Sequence, residues 1–244
     1  MNNSRILVID SGNTALKYAV FENDKILDLQ RIGKDDFTTL KSVYTKFQCS
    51  GVAISSVRSD KKTSELITAI AAENTFELTY PYHLNFKLDY KTPELLGKDR
   101  LCNAAAALSL STTEYALTID FGTCIKLDLI SKQSGYMGGS ISPGIQLRYN
   151  ALNDYTDNLP RLDERKEKIL IGKSTNESII AGVLTGIEAE INQLILRFEQ
   201  KYSPLTIFVT GGDSSYFDLV SKNDIFAVEN LTLIGLYQLY IQKA

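Results

Sequence analysis

Residues 6–21 read ILVIDSGNTALKYAVF, and the organisation of the chain follows from how this stretch is understood. Four apolar residues, Ile6, Leu7, Val8 and Ile9, end on one carboxylate, Asp10. A polar turn follows, Ser11-Gly12-Asn13-Thr14, and then a second apolar run, Ala15, Leu16 and onward to Phe21, whose one basic residue is Lys17. An apolar strand that ends in an acid, a turn of small donors and a second strand make a β-hairpin with a chemical tip. Gly12 lacks a Cβ, so backbone N–H groups there can approach a ligand closely. The hydroxyls of Ser11 and Thr14, the Asn13 amide and the Lys17 ammonium are donors suited to phosphate oxygens. Asp10, an anion itself, can serve phosphate only through a divalent cation such as Mg²⁺. The same residue types are common in ordinary surface turns. Taken alone, the stretch supports both readings.

The pattern returns at residues 115–131, YALTIDFGTCIKLDLIS. A strand ends in Asp120, a turn Phe121-Gly122-Thr123 follows, and a second strand runs to Ile130. Each hairpin opens a three-strand meander: 6–9, 15–21 and 26–31 in the first half, and 115–120, 124–130 and 136–141 in the second. An internal repeat at about half the chain length is more specific than either hairpin. It predicts two similar α/β domains, 1–112 and 113–244, meeting face to face with their acid-tipped hairpins converging on one cleft. Two opposed carboxylates beside Gly/Thr turns suit a nucleotide polyphosphate and its metal, because phosphoryl transfer needs mainly positioning and charge neutralisation.

The rest of the chain fills in this plan. Helices are predicted over 36–47 and 61–73, the latter with Leu66, Ile67, Ile70 and Ala71 at helical spacing. A strand is expected at 51–55, and extended segments at 76–80 and 86–90. Gly97-Lys98-Asp99-Arg100 precedes an alanine-rich helix, 101–110. Gly138-Gly139 and Ser142-Pro143-Gly144 read as loops, and 153–168 as an exposed polar helix or loop. A long amphipathic helix covers 177–201, a buried strand 205–210 ends in Gly211-Gly212-Asp213, and a closing helix spans 231–242. The glycine pair leaves open backbone near a helix start, a suitable wall for a nucleoside or phosphate; glycines also simply end strands.

Composition narrows the function classes. With 244 residues, 44% hydrophobic and 23% charged, the chain has the make-up of an ordinary globular protein of one large or two average domains. A net charge of −3 argues against a nucleic-acid binder that relies on bulk positive potential. Cys49, Cys102 and Cys124 are widely spaced and form no CxxC, so neither a disulfide framework nor a zinc site is expected, and a cytoplasmic location is the default. No membrane span and no signal peptide are read from the sequence.

The layout resembles the actin-like (ribonuclease H-like) ATPase and sugar-kinase superfamily, and within it type III pantothenate kinases. The motifs that carry the resemblance are D-S-G-N-T-A-L-K at 10–17, Y-K-T-P-E-L-L-G-K-D-R at 90–100 and D-F-G-T at 120–123. G-G-S-I-S-P-G at 138–144, I-G-K-S-T at 171–175 and T-G-G-D at 210–213 extend it. The resemblance implies ATP-dependent phosphorylation of pantothenate, the first step towards coenzyme A, in a homodimer. It implies that Asp10, Ser11, Gly12, Asn13, Thr14, Ala15, Leu16 and Lys17 form the first phosphate loop and that Thr123 contacts ATP. It implies pantothenate contacts from Tyr90, Gly97, Lys98, Asp99, Arg100 and Thr175, with Asp99 as the base on the substrate hydroxyl. A monovalent cation, K⁺ or NH₄⁺, is implied at Asp120, beside the Mg²⁺ that accompanies ATP. On residue types alone, 97–100 is a helix start with an exposed ion pair. The chemistry nonetheless suits the implied roles, since a carboxylate can accept a hydroxyl proton and Arg100 can fork onto a carboxylate.

One departure stands out. Cys124 and Lys126 follow the second tip, where many family members carry small or hydroxyl residues. Strand alternation puts the two on one side; if that side is the cleft, cation or nucleotide binding differs from the family's. Other features carry less. Ile171-Gly172-Lys173-Ser174 resembles the end of a Walker A loop, but the glycine required five positions before Gly172 is Glu167. His83, the single histidine, has no nucleophile at motif spacing, and Cys102 reads as a small core residue. The competing function is a regulatory or accessory protein that keeps nucleotide binding and has lost catalysis, and the intact 97–100 segment argues against it.

Overall fold

The computed structural model describes residues 4–12, 15–72, 74–163 and 168–243. Asn13 and Thr14, both assigned to the first phosphate loop, lie outside the described residues, as do Glu73 and 164–167 of two predicted segments. The chain forms two compact units, Met1–Ser109 together with Asn230–Ala244, and Leu110–Glu229. The first boundary falls close to the expected one. A second, at 229/230, was not expected: the closing helix belongs to the first unit, so 113–244 is not a single body.

In the first unit, β1 (Arg5–Ser11), β2 (Ala15–Glu22) and β3 (Lys25–Gly33) form the antiparallel meander. Asn23 and Asp24 both have positive φ, which the β2–β3 turn requires and which these residue types tolerate. β4 (Gly51–Ser56) adds parallel to β1, and β5 (Thr75–Glu77) parallel to β4, giving the order β3-β2-β1-β4-β5. Leu7, Ile9, Leu16, Tyr18, Val52 and Ile54 pack with Leu40 and Val43 of α1 (Phe37–Lys46) and Leu66 and Ile70 of α2 (Asp60–Ile70). Asp36 caps α1, its carboxylate accepting from the Thr39 amide at 3.1 Å and the Thr39 hydroxyl at 2.7 Å. Ile6 and Val8, on the alternate positions of β1, are equally buried. A strand covered on both faces reads as an unbroken apolar run rather than an alternation.

Two more helices complete this unit, α3 (Lys98–Leu110) and, at the far end of the chain, the closing helix Leu231–Lys243, which contacts β1, β2 and β4. The Tyr237 ring of the closing helix stacks on Phe21 with centroids 4.3 Å apart. Gly235 lies so close to α3 that a Cβ there would sit 1.6 Å from the Cys102 carbonyl oxygen. Helix crossing at backbone contact needs such a residue, and the buried Ala104–Ala107 run of α3 shows the same economy of volume. Residues 86–90, expected to be extended, form no strand; Leu88 alone makes an isolated β-bridge.

The second unit repeats the topology. β6 (Tyr115–Phe121), β7 (Cys124–Ser131) and β8 (Gly135–Pro143) form a meander, β9 (Leu205–Thr210) pairs parallel to β6, and β10 (Ile225–Ala227) parallel to β9. The order is β10-β9-β6-β7-β8. Gly138 and Gly139 lie within β8 rather than in a loop. Gly138 has φ +110°, and the register with β7 shifts between Leu129 and Ile130, so the permissive backbone serves a bulge.

α4 (Ile145–Asp154), not anticipated as a helix, follows β8. After it come α5 (Thr175–Ile180), a π-helical turn (Ala181–Thr185) and α6 (Gly186–Lys201) in one continuous run; the closing helix is therefore α7. By length and composition the run Thr175–Lys201 is long and apolar enough to cross a bilayer, where an amphipathic helix over 177–201 and no membrane span were expected. Its Ile179, Ile180, Val183, Leu184, Ile187, Ile191 and Ile195 are buried in the core of the second unit, against Leu117, Ile119 and Leu127.

Candidate active site

The tip of the first hairpin is built by register. Asp10 is half-buried at the end of β1, opposite Lys17 on β2 and beside Ser55 on β4. The Gly12 amide donates to the Ala15 carbonyl at 3.1 Å and closes the turn. Leu16 is fully buried and anchors the loop to the core, whereas Lys17 is exposed. The Ser11 hydroxyl is buried yet finds no hydrogen-bond partner among the described residues. A buried polar atom left unsatisfied costs stability.

The segment 97–100 forms the start of α3. The Gly97 carbonyl accepts from the Arg100 and Leu101 amides at 3.1 and 3.3 Å, which places Lys98, Asp99 and Arg100 in the first turn. Asp99 there accepts from the Arg100 amide at 2.9 Å. A carboxylate in a first turn is favoured by the helix dipole. Arg100 is 4% exposed, and its guanidinium lies 5.9 Å from the centre of the Tyr90 ring. Tyr90, Asp99 and Arg100 are thus brought together, though ten residues separate the first from the last.

Cys102 ties this segment to the first hairpin. Its thiol is wholly buried, hydrogen-bonded with Ser55, and held well above the ordinary cysteine range. Burial is the largest cause, followed by the negative charges of Asp10 and then Asp99. Ser55, the thiol's hydrogen-bond partner, is the register partner of Asp10 on β4, so Cys102 links α3 to the end of β1 that carries the hairpin carboxylate.

The tip of the second hairpin is closed from two sides. Gly144 donates its amide to the Thr123 carbonyl at 3.0 Å, and a Cβ on it would meet the Gly122 and Thr123 oxygens at 2.4 and 2.7 Å. Gly211 has φ +96° and would place a Cβ about 2.4 Å from the Phe121 backbone, while the Asp213 amide donates to the Phe121 carbonyl at 3.1 Å. The glycines of the second and fourth loops are thus there to let backbone close on the D-F-G-T turn. Gly211-Gly212 leads into a short 3₁₀ turn, Ser214–Tyr216, in place of the helix start expected there. Thr123 is exposed at the tip.

Thr175 is the first residue of α5. Ser174 caps that helix by accepting from the Glu177 amide at 3.2 Å, and Glu177 accepts from the Lys173 amide at 2.7 Å. Thr175 is exposed and lines an apolar groove of about 800 Å³ with Pro143, Arg148, Tyr155 and Gly182. Gly182 belongs to the π-helical turn, an irregularity frequent at functional sites.

The profile of the family described as type III pantothenate kinase matches residues 6–197. A protein of that name from Christiangramia forsetii is 41% identical over 233 residues, covering 94% of this chain and 95% of the relative. Another, from Phocaeicola vulgatus, is 35% identical over 230 residues with the same coverage. The chain belongs to the type III pantothenate kinase family. Its fold is shared more widely: a ROK family protein from Streptococcus pneumoniae, solved in complex with sucrose, superposes with TM-score 0.56 at 13% identity, covering 98% of each chain. That superposition, with the repeated strand order, establishes two actin-like α/β units.

Within this family member, one contact lay beyond sequence reasoning. Lys126 Nζ is 2.7 Å from Asp120 Oδ2, with the two side chains only 16% and 13% exposed. Register explains it, because Asp120 and Lys126 are direct partners across β6 and β7. The sequence signal was a basic residue three positions past a small-residue turn. Its partner could be named only once the turn length was known.

Proposed function

We propose that this pantothenate kinase family member transfers the γ-phosphoryl group of ATP to the primary hydroxyl of pantothenate, giving 4′-phosphopantothenate and ADP as the first step of coenzyme A synthesis. The observation that carries this reading is the grouping of Asp99, Arg100 and Tyr90 around the start of α3. Asp99 accepts the hydroxyl proton as the oxygen bonds to the γ-phosphorus and the bond to the ADP oxygen breaks. Arg100, a buried planar fork, holds the pantothenate carboxylate, with Tyr90 fixing the guanidinium plane. Lys98 and the Gly97 backbone complete the substrate end of α3, and Thr175 contributes a further substrate contact.

ATP phosphates are assigned to residues 10–17, where the Ser11 hydroxyl and the Gly12 turn supply donors, and Thr123 is assigned to the nucleotide. Among the described residues no cluster of three or more His, Cys, Asp or Glu could hold a metal unaided. Mg²⁺ binds through one or two carboxylates and the phosphates it accompanies. Asp10 is the residue to hold it, and its chemistry there is neutralisation of phosphate charge. The enzyme is proposed to act in the cytoplasm as a homodimer, whose mass light scattering measures directly.

The decisive experiment is coupled detection of ADP with and without pantothenate. Pantothenate-dependent ADP release is expected; its absence with folded, ATP-binding protein would favour the accessory-protein reading instead.

A further inference from the structure

Family resemblance implies an exchangeable monovalent cation at Asp120, and the residues present do not fit one. The carboxylate already has a cation. Lys126 Nζ stands 2.7 Å from Oδ2, and the pair is largely withdrawn from solvent. The contact is fixed by the fold rather than by a chance rotamer. Asp120 and Lys126 are direct cross-strand partners, and Lys126 is flanked on β7 by Ile125 and Leu127, each 1% exposed. On the other side of Asp120, β9 sets Thr210, also buried, at the same register level.

Charge decides between the two occupants. A lysine ammonium is a compact point charge with three donors, of the same sign and valence as K⁺ or NH₄⁺. With Lys126 in place the Asp120 pair is neutral. An added K⁺ would put a second positive charge beside the ammonium, in surroundings where screening by water is weak. Moving the lysine aside would leave a partly buried ammonium without its carboxylate, and breaking such a pair is costly.

We infer that Lys126 is a tethered cation, a positioning residue that supplies at Asp120 the positive charge otherwise drawn from K⁺ or NH₄⁺, so that this enzyme works without a monovalent cation. The inference rests on the kinase reading of the site.

The test measures ATP- and pantothenate-dependent ADP release in tetramethylammonium chloride, potassium chloride and ammonium chloride. Wild-type rates are expected to be the same in all three. K126M keeps the stem and removes the charge; it is expected to lose about 10- to 100-fold in tetramethylammonium and to recover in potassium or ammonium. A purely structural lysine would not produce rescue by small cations. Wild-type enzyme that depends on potassium overturns the inference, as does folded K126M that no cation rescues or that is as active as wild type in tetramethylammonium. If the wild type releases no ADP with pantothenate, the kinase reading fails separately. Calorimetric ATP binding in the same salts then decides: potassium-independent affinity in the wild type with potassium-dependent affinity in K126M sustains the tethered cation, and any other pattern overturns it.

Discussion

The two hairpin tips are the same device built twice, and they differ by one residue. Between the last paired residues, Ser11 and Leu16 in the first and Phe121 and Ile125 in the second, the second turn is one residue shorter. Lys17 follows its acid by seven positions and Lys126 follows by six, yet both stand directly across the sheet from it. Beyond the acids the parallel neighbours also match, Ser55 in one unit and Thr210 in the other. What differs is where the ammonium goes. Lys17 is exposed, in keeping with a donor that reaches an incoming anion, whereas Lys126 turns in to its own Asp120. Equivalent positions in a duplicated fold thus carry an exposed ammonium in one unit and a partly buried, paired one in the other.

If both tips hold rather than react, the largest loss must come from neither of them. Asp99→Asn is expected to lower kcat by about 10²- to 10⁴-fold while calorimetry still detects ATP; unchanged turnover would return the base to one of the hairpins. Next comes the support of the second tip. Gly211→Ala puts a Cβ against the Phe121 backbone at a positive φ, and chemical denaturation should show a loss of about 2–4 kcal/mol. Asp10→Asn tests the first tip as a Mg²⁺ holder: the Mg²⁺ concentration giving half-maximal rate should rise by about 10- to 100-fold, and an unchanged Mg²⁺ dependence would leave Asp10 no metal role.

Smaller differences sharpen the comparison of the two meanders, each of which joins its second and third strands by a tyrosine–aspartate hydrogen bond. Tyr136 donates to Asp128 at 2.6 Å and Tyr18 to Asp28 at 3.1 Å, and Asp128 is 1% exposed. Tyr136→Phe should therefore cost about 1.5–3 kcal/mol and Tyr18→Phe about 0.5–1.5, with equal losses counting against burial as the cause. Last is pH. Burial first, and then Asp28, push the Tyr18 hydroxyl up to about 12 from 10.0. A folded-state value above the unfolded one gives stability that is complete below pH 10 and lost as pH rises towards 12. Tyr18→Phe should flatten the loss that denaturation records over that interval.

Most of the strand plan was legible because each strand announces itself locally. β1 and β6 are apolar runs that stop at an acid, and β-branched runs bounded by polar turns need no tertiary information. The repeat of Asp10 at Asp120 carried the two-unit reading for the same reason. Tertiary decisions were less visible. Residues 86–90 have strand composition but pair only through a single bridge at Leu88, and one bridge does not make a ladder. α4 was missed because it buries only Ile145 and Tyr149, too few to set a helical period. At the site, the residues of α3 were legible as a motif, but the tie from Cys102 of α3 to Ser55, beside Asp10, was not, since helix and sheet are brought together by packing. The Lys126–Asp120 pair needed the register, which a one-residue difference in turn length conceals from any ungapped reading of the repeat.

α7 bears on how the chain is made. The second unit is an insertion: it is contiguous from Leu110 to Glu229, while the first unit is interrupted and waits for its last helix. During synthesis the first sheet emerges early but lacks the cover that α7, with Tyr237 stacked on Phe21, gives β1, β2 and β4 until residues 231–243 have been made. The first unit therefore cannot close as a unit before the second has been synthesised, unlike a chain whose N-terminal domain is contiguous. A released chain ending at residue 230 should carry a protease-protected second unit and a first unit still open to protease.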